Sequence, residues 1–229
     1  FVAEFLTNGI MHFSGVIFDF NGTLFWDTKL HNKAWDIFLT KHGLFLSDED
    51  KFKKMHGKNN KDLFIELFNK PLSDVEIQKY VLEKEGLYQD LCLQTDMQLA
   101  PGASDFLDFL KDKKIPFTIA TASGKENLDF YFEHLPLTRW FEYDKVVYNN
   151  GKIKGKPDPQ IYQNALAIIG KQPEDVIIFE DAVAGLQSAR NAKAGKIIVV
   201  NSNDDDYTDW SDCQIIKNFD EVDRTQFVL

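Results

Sequence analysis

The chain has 229 residues, 44% of them hydrophobic, enough for one large domain or for a core domain carrying a smaller insert. Its 26 basic against 36 acidic residues leave a net charge of −10, and only three of the basic residues are arginines (Arg139, Arg190, Arg224). That balance argues against a nucleic-acid partner, which would call for concentrated cationic charge, but not against small anionic substrates, because a local cluster can oppose the global charge.

No apolar run reaches the length of a membrane span, so no membrane partner is expected. Cys92 and Cys213 form no metal-binding spacing and read as ordinary thiols of a reducing compartment. Residues 1–13 lack a basic-then-apolar signal organisation, and the expected location is the cytoplasm. The residues ahead of Met11 read as a variable leader or an added remnant. Monomer or weak homo-oligomer is the expected state.

In chain order, the first strand is expected over residues 15–20, where the apolar run Val16-Ile17-Phe18 ends on Asp19 and is followed by Asn21-Gly22-Thr23. Residues 28–94 show no strand. Leu30, Ala34, Ile37 and Phe38 recur at helical spacing, as do Leu63, Leu67 and Phe68, then Val75, Ile77, Val81 and Leu82. Gly43, Gly57, Pro71 and Gly86 are expected to break this stretch into short helices. Ser73 ahead of Asp74 and Glu76 reads as an N-cap with a capping box. Beyond Pro101-Gly102 the pattern predicts a helix over 103–113, a strand over 116–121, a helix from Lys125, a strand over 145–148 and a helix after Pro157-Asp158-Pro159. A strand over 176–179, a helix over 182–194, a strand over 196–200 and a short edge strand over 213–216 follow. Strands alternating with helices imply crossover connections and a parallel sheet, hence an α/β core, and the block before them is an inserted helical cap.

Four segments carry chemistry. Asp19 at a strand end suits a nucleophile or metal ligand; the bland alternative is a turn-capping aspartate. Thr121-Ala122-Ser123-Gly124 places hydroxyls and N–H groups before a helix, which suits a phosphate oxygen; the alternative is an N-cap serine. Lys156 precedes a rigid Pro-Asp-Pro helix start and can neutralise phosphoryl charge; the alternative is a solvated lysine. Glu180-Asp181 end an apolar strand, and carboxylates of this kind suit Mg²⁺; the alternative is a pair of acids favoured by a helix dipole. All four can converge at one edge of a parallel sheet.

In this order the four segments resemble the motifs of the haloacid dehalogenase superfamily, over residues 15–216, closest to its β-phosphoglucomutase-like and sugar-phosphate phosphatase branch. The resemblance implies a Rossmann-like core formed by residues 1–27 and 98–229, with a helical cap over 28–97. It implies Mg²⁺ as cofactor and Asp19 as the nucleophile that takes the phosphoryl group as an aspartyl phosphate. Thr121 through its hydroxyl, Ala122 through its N–H and Lys156 would hold the phosphate. Asp19, the backbone carbonyl of Asn21 and Asp181 would hold the metal, with Glu180 a ligand or a supporting carboxylate. Phosphatases and mutases of the superfamily carry Asp at the position of Asn21, where it protonates the leaving oxygen and later activates water. Asn has no such proton, so metal and phosphate binding are expected to persist with slowed turnover.

His31, near the start of the first cap helix, is a candidate for the missing proton transfer, with a surface or hinge histidine as the alternative. In the segment Met55-His56-Gly57-Lys58-Asn59-Asn60-Lys61, which resembles the substrate-contacting part of the cap, Gly57, Lys58 and Asn60 are candidate substrate contacts, and Lys125 is another. β-Phosphoglucomutases carry an arginine where Asn60 falls, which counts against a mutase. The leading expectation is a phosphohydrolase of a small phosphorylated metabolite. A phosphomutase, a catalytically impaired binding protein and a dehalogenase follow, the last opposed by the Glu180-Asp181 pair.

Overall fold

The computed structural model describes residues 12–55 and 60–227. Among these, six strands form one sheet: β1 (Gly15–Phe18), β2 (Phe117–Gly124), β3 (Val147–Asn149), β4 (Val176–Glu180), β5 (Lys196–Val200) and β6 (Gln214–Ile216). Their order is β3-β2-β1-β4-β5-β6 and every pairing is parallel. Strand order reverses between β1 and β4, and in open parallel sheets the crevice beyond the carboxyl ends at such a point is where ligands bind.

Side-chain alternation puts the two faces of the sheet into separate cores. Val16 and Phe18 of β1, with Ile177 and Phe179 of β4, pack against Phe106, Leu107 and Leu110 of α5 (Ala103–Asp112) and Leu128 of α6 (Lys125–His134). Ile17 and Ile178 face the other way, onto Ile161 and Ala165 of α7 (Gln160–Ile169) and Leu186 and Ala189 of α8 (Val183–Asn191). Burial on both faces explains why these strands read as continuous apolar runs. Between β1 and β2 lie α1 (Thr28–Lys41), α2 (Asp48–Lys54), α3 (Asn60–Phe68) and α4 (Asp74–Cys92). These helices own a third cluster, which includes Trp35, Phe38, Met55, Leu63, Phe64 and Val81. No helix among the described residues is long and apolar enough to cross a membrane.

The structure departs from the sequence pattern in three places. Gly86 does not end a helix; α4 runs through it to Cys92. A mid-helix glycine costs about 1 kcal/mol relative to alanine, and the flanking Lys84, Glu85 and Tyr88 are all buried by tertiary packing that overrides that cost. Strand β2 continues to Gly124, because it meets β3 at Ala120↔Val147 and again at Gly124↔Asn149 with a register shift between. The irregularity falls on Thr121, Ala122 and Ser123, and such bulges re-aim side chains beside active sites. Lys145 belongs to a short 3₁₀ turn rather than to β3. The capping box is present: Ser73 Oγ accepts from the Glu76 N–H at 3.2 Å and Glu76 accepts from the Ser73 N–H at 2.8 Å.

Candidate active site

Strands β1 and β4 run side by side, and the Asp19 N–H bonds to the Phe179 carbonyl at 2.9 Å. That register sets Asp19 beside Glu180 and Asp181, so one ligand oxygen from each of the three buried carboxylates lies within 4.8 Å of the others. Lys156 enters from the loop before α7. Its neighbours are held by α8, where Ser188 Oγ donates to the Asp158 carbonyl at 2.7 Å and Asn191 Nδ2 to the Pro157 carbonyl at 3.0 Å. The fully buried Lys156 ammonium donates to Asp19 Oδ1 at 2.6 Å and to Glu180 Oε1 at 2.5 Å.

Charge sharing is incomplete. Burial, then repulsion from Glu180, pushes the Asp19 carboxyl up to about 7, with Lys156 pulling the other way. Burial and the neighbouring Asp19 and Glu180 likewise raise Asp181 well above the ordinary carboxylate range. Burial alone would lower Lys156, but Asp19 and Glu180 outweigh it and hold its pKa above the usual value. Both Glu180 oxygens are engaged: Oε1 also accepts from Tyr162 at 2.8 Å, and Oε2 accepts the N–H groups of Asp181 and Ala182, each at 2.9 Å. Glu180 is therefore built as an anchor for Lys156, leaving Asp19 and Asp181 as the carboxylates with free coordination capacity.

Two glycines make this approach possible. Gly22 turns at φ +78°, and a side chain there would strike the Asp181 carboxylate. Gly185 of α8 faces Glu180, and a methyl there would collide with its carboxylate. Gly185→Ala is expected to destabilise the fold by about 1–3 kcal/mol and to lower activity by displacing the Lys156 anchor. Thermal unfolding beside a phosphate-release assay checks it, and an unchanged variant refutes the anchor role.

Thr121 is fully buried and its hydroxyl donates to Asn21 Oδ1 at 3.4 Å; Ser123 Oγ donates to the same atom at 2.8 Å. Ser123 does not cap α6, whose N-cap is Gly124 without a side-chain bond. A cavity between the sheet edge and helices α1, α3 and α4 is lined by Asp19, Asn21, Ala122, Ser123 and Asp181 on one side. Asp27, His31, Trp35, Asn60, Lys84 and Glu85 line the other. Of the sequence candidates, Asp19, Asn21, Ala122, Asp181, His31 and Asn60 thus come together around one cavity. Lys125 does not line it: it pairs with Asp129 at 2.6 Å on the surface. Gly57 and Lys58 lie outside the described residues.

Sequence reasoning missed a buried polar group behind Asn21. Asp27, just before α1, accepts from Asn21 Nδ2 at 2.7 Å, Tyr88 OH at 2.5 Å and the Gly22 N–H at 2.9 Å, and pairs with His31 Nε2 at 3.2 Å. Burial would raise Asp27, but His31, Tyr88 and Asn21 outweigh it and hold its carboxyl below the usual value. Lys84 reaches His31 Nδ1 at 2.9 Å and Glu85 at 3.1 Å, and Glu85 accepts from Asn60 at 2.9 Å and Asn127 at 2.7 Å.

Comparison with known proteins agrees with this geometry. Residues 13–193 match the haloacid dehalogenase-like hydrolase family. The chain is 28% identical over 195 residues to the phosphorylated carbohydrates phosphatase of Thermotoga maritima, covering 83% of this chain and 87% of that protein. It is 30% identical over 213 residues to 2-deoxyglucose-6-phosphate phosphatase 2 of Saccharomyces cerevisiae, covering 82% and 80%. Its fold superposes on a crystal structure of a HAD hydrolase, family IA, variant 3, from Entamoeba histolytica with a TM-score of 0.82 and 36% identity, covering 93% and 96% of the two chains. Fold, site and a match spanning residues 13–193 together show that the chain belongs to the haloacid dehalogenase-like hydrolase family.

Proposed function

We propose that the chain is a Mg²⁺-dependent phosphohydrolase of a small phosphorylated metabolite of the sugar-phosphate class, working through a phosphoryl group carried on Asp19, with helices α1–α4 as its cap. The observation that carries this reading is the buried set of three carboxylates and one lysine at the ends of β1 and β4. Two formal negative charges remain there after Lys156 is counted, and buried charge of that kind calls for a cation. Asp19, Asp181 and the Asn21 carbonyl would hold it. A divalent cation at that place neutralises charge on the transferring phosphoryl group.

The chain's own residues supply the rest. Asp19 attacks phosphorus. Lys156 offsets the repulsion between that carboxylate and the incoming phosphate, and the Thr121 hydroxyl and the Ala122 N–H hold phosphate oxygens. Phosphoryl transfer depends chiefly on such positioning and charge neutralisation. Hydrolysis is favoured over mutase activity because Asn60, in place of a second phosphate-gripping cation, donates to Glu85, the carboxylate that also pairs Lys84.

A panel of sugar phosphates assayed with and without Mg²⁺ tests the reading. Phosphate release that a chelator abolishes supports it; isomerised sugar phosphate or metal-independent turnover sinks it. The cation also sets a pH dependence. Asp19 has its folded pKa raised from 3.8 to about 7, so its contribution to metal-free stability is fully present below pH 3.8 and lost as pH rises through about 7. Mg²⁺ binding needs the ionised form, so Mg²⁺ is expected to raise the unfolding temperature more at pH 8 than at pH 6. Scanning calorimetry at both pH values decides.

A further inference from the structure

This inference rests on the reading of Asp181 as a cation ligand and concerns what holds it in place. The loop between β5 and β6 touches both chain segments that would supply the cation's ligands. Tyr207 is buried, and its hydroxyl donates to the Asp181 carbonyl. Ser202 Oγ donates to the Gly22 carbonyl at 2.9 Å, one residue beyond Asn21. Asn201 braces the loop itself: its Nδ2 donates to the Asp205 carbonyl at 3.1 Å and its Oδ1 accepts the Asp205 N–H at 3.0 Å. Thr23 then joins the two segments by donating to Asp181 Oδ1 at 3.0 Å.

Tyr207 has a neighbour from the other side of the molecule. Helix α2 faces two ways. Lys51 is buried and donates to Asp36 Oδ1 of α1 at 2.6 Å and to Asp48 Oδ1 at 2.8 Å, which ties α2 to the helical block. The next residue, Phe52, is buried too, but in the core that holds Leu186 and Ala189 of α8, not in the cluster of Trp35 and Phe38. Its ring meets that of Tyr207 edge to face, with centroids 5.6 Å apart and planes at 84°. Charge does not draw α2 onto the loop. Asp48 and Glu49 of α2 line one groove with Asp204, Asp205 and Asp206 of the loop, and Lys53, which also lines it, pairs with Glu49 of its own helix at 2.6 Å. Like charges repel across such a groove, so the buried aromatic contact is what seats the helix there.

We propose that Tyr207 is a positioning residue for Asp181 and that Phe52 fixes the place of Tyr207, so that the cation site takes its full geometry only with α2 seated. Groups that hold a ligand residue from behind orient it and raise its affinity for the metal. The Tyr207 hydroxyl does this through the Asp181 backbone, while Thr23 does it through the carboxylate. Without the hydroxyl, the Asp181 peptide is released on one side, and cation binding must then order it.

Titration of the whole metal-free chain with Mg²⁺ alone, followed by calorimetry, tests this. Tyr207→Phe keeps the ring and deletes the hydroxyl, and is expected to weaken Mg²⁺ binding about tenfold. Phe52→Ala weakens it in the same direction, Phe52→Leu restores most of the loss, and the double variant Phe52→Ala/Tyr207→Phe loses no more than Tyr207→Phe alone, because the two act on one contact. Coupling is reciprocal, so Mg²⁺ is expected to slow amide hydrogen exchange in α2 of the native chain and not of Tyr207→Phe. Urea unfolding is followed for each variant, and Tyr207→Phe carries the test where Phe52→Ala does not fold. Native Mg²⁺ affinity in Tyr207→Phe, losses that add in the double variant, or α2 exchange that Mg²⁺ leaves unchanged in the native chain overturn the proposal alone. A native chain that binds no Mg²⁺ overturns it together with the proposed function.

Discussion

Lys156→Met is expected to abolish phosphate release and to cost the metal-free chain about 3–5 kcal/mol of stability at pH 8, the range for removing one partner from a buried ion pair. Methionine keeps the length of the stem but deletes the ammonium, which lies 2.6 Å from Asp19 and 2.5 Å from Glu180. Two carboxylates would then face each other without a shared cation. Lys156 is the group that pulls the Asp19 pKa down against burial and Glu180, so its loss raises that pKa further from about 7. A raised carboxyl pKa stabilises the protonated folded state, and that contribution disappears as pH rises. The destabilisation should therefore be larger at pH 8 than at pH 5. Urea unfolding of the two proteins at both pH values measures it. Equal stability at pH 8 would show that the lysine does not carry the charge balance of the site.

If Asp19 carries the phosphoryl group as proposed, Asp19→Asn is expected to stop turnover, by on the order of 10⁴-fold or more, because an amide cannot replace a covalent nucleophile. Its effect on stability runs the other way. At pH 8 the metal-free fold holds Asp19 ionised at a cost set by a pKa of about 7 against 3.8. An amide removes that cost, and Lys156 keeps Glu180 as its partner. A gain of about 1–4 kcal/mol at pH 8 follows, vanishing below pH 4. A chemically dead and thermally stronger variant would show that the cluster is strained for its chemistry; one that is dead and weaker would show that Asp19 is mainly structural.

The sheet was legible in the sequence because each strand is a local signal, an apolar run ended by polar residues. The same locality exposed Asp19 and Asp181 just past strand ends, Thr121 at the irregularity of β2, and Lys156 in the loop before a Pro-marked helix. The polar group behind Asn21 was not legible, since its bonds span the chain: Asn21 meets Tyr131 across 110 positions, and Tyr88 meets Asp27 across 61. One signal was available and unused. Ile77, Val81, Tyr88 and Leu91 form the apolar stripe of α4, and Lys84 and Glu85 fall on that stripe. Two charges at core-facing positions mark either an error of phase or a buried ion pair, and here they are the latter, beside the cavity. Gly86, read as a breaker, hid that helix from view.

The separate apolar cluster of α1–α4 has a consequence for how such a chain can change. Trp35, Met55 and Leu63 belong to that cluster and also face the cavity, while the residues that would handle phosphorus are fixed by the sheet and its flanking loops. Exchanging the three would reshape the room for the leaving group at the expense of the helical cluster only. New preferences could therefore arise by drift in one part of the molecule while the reaction itself is inherited unaltered in the other.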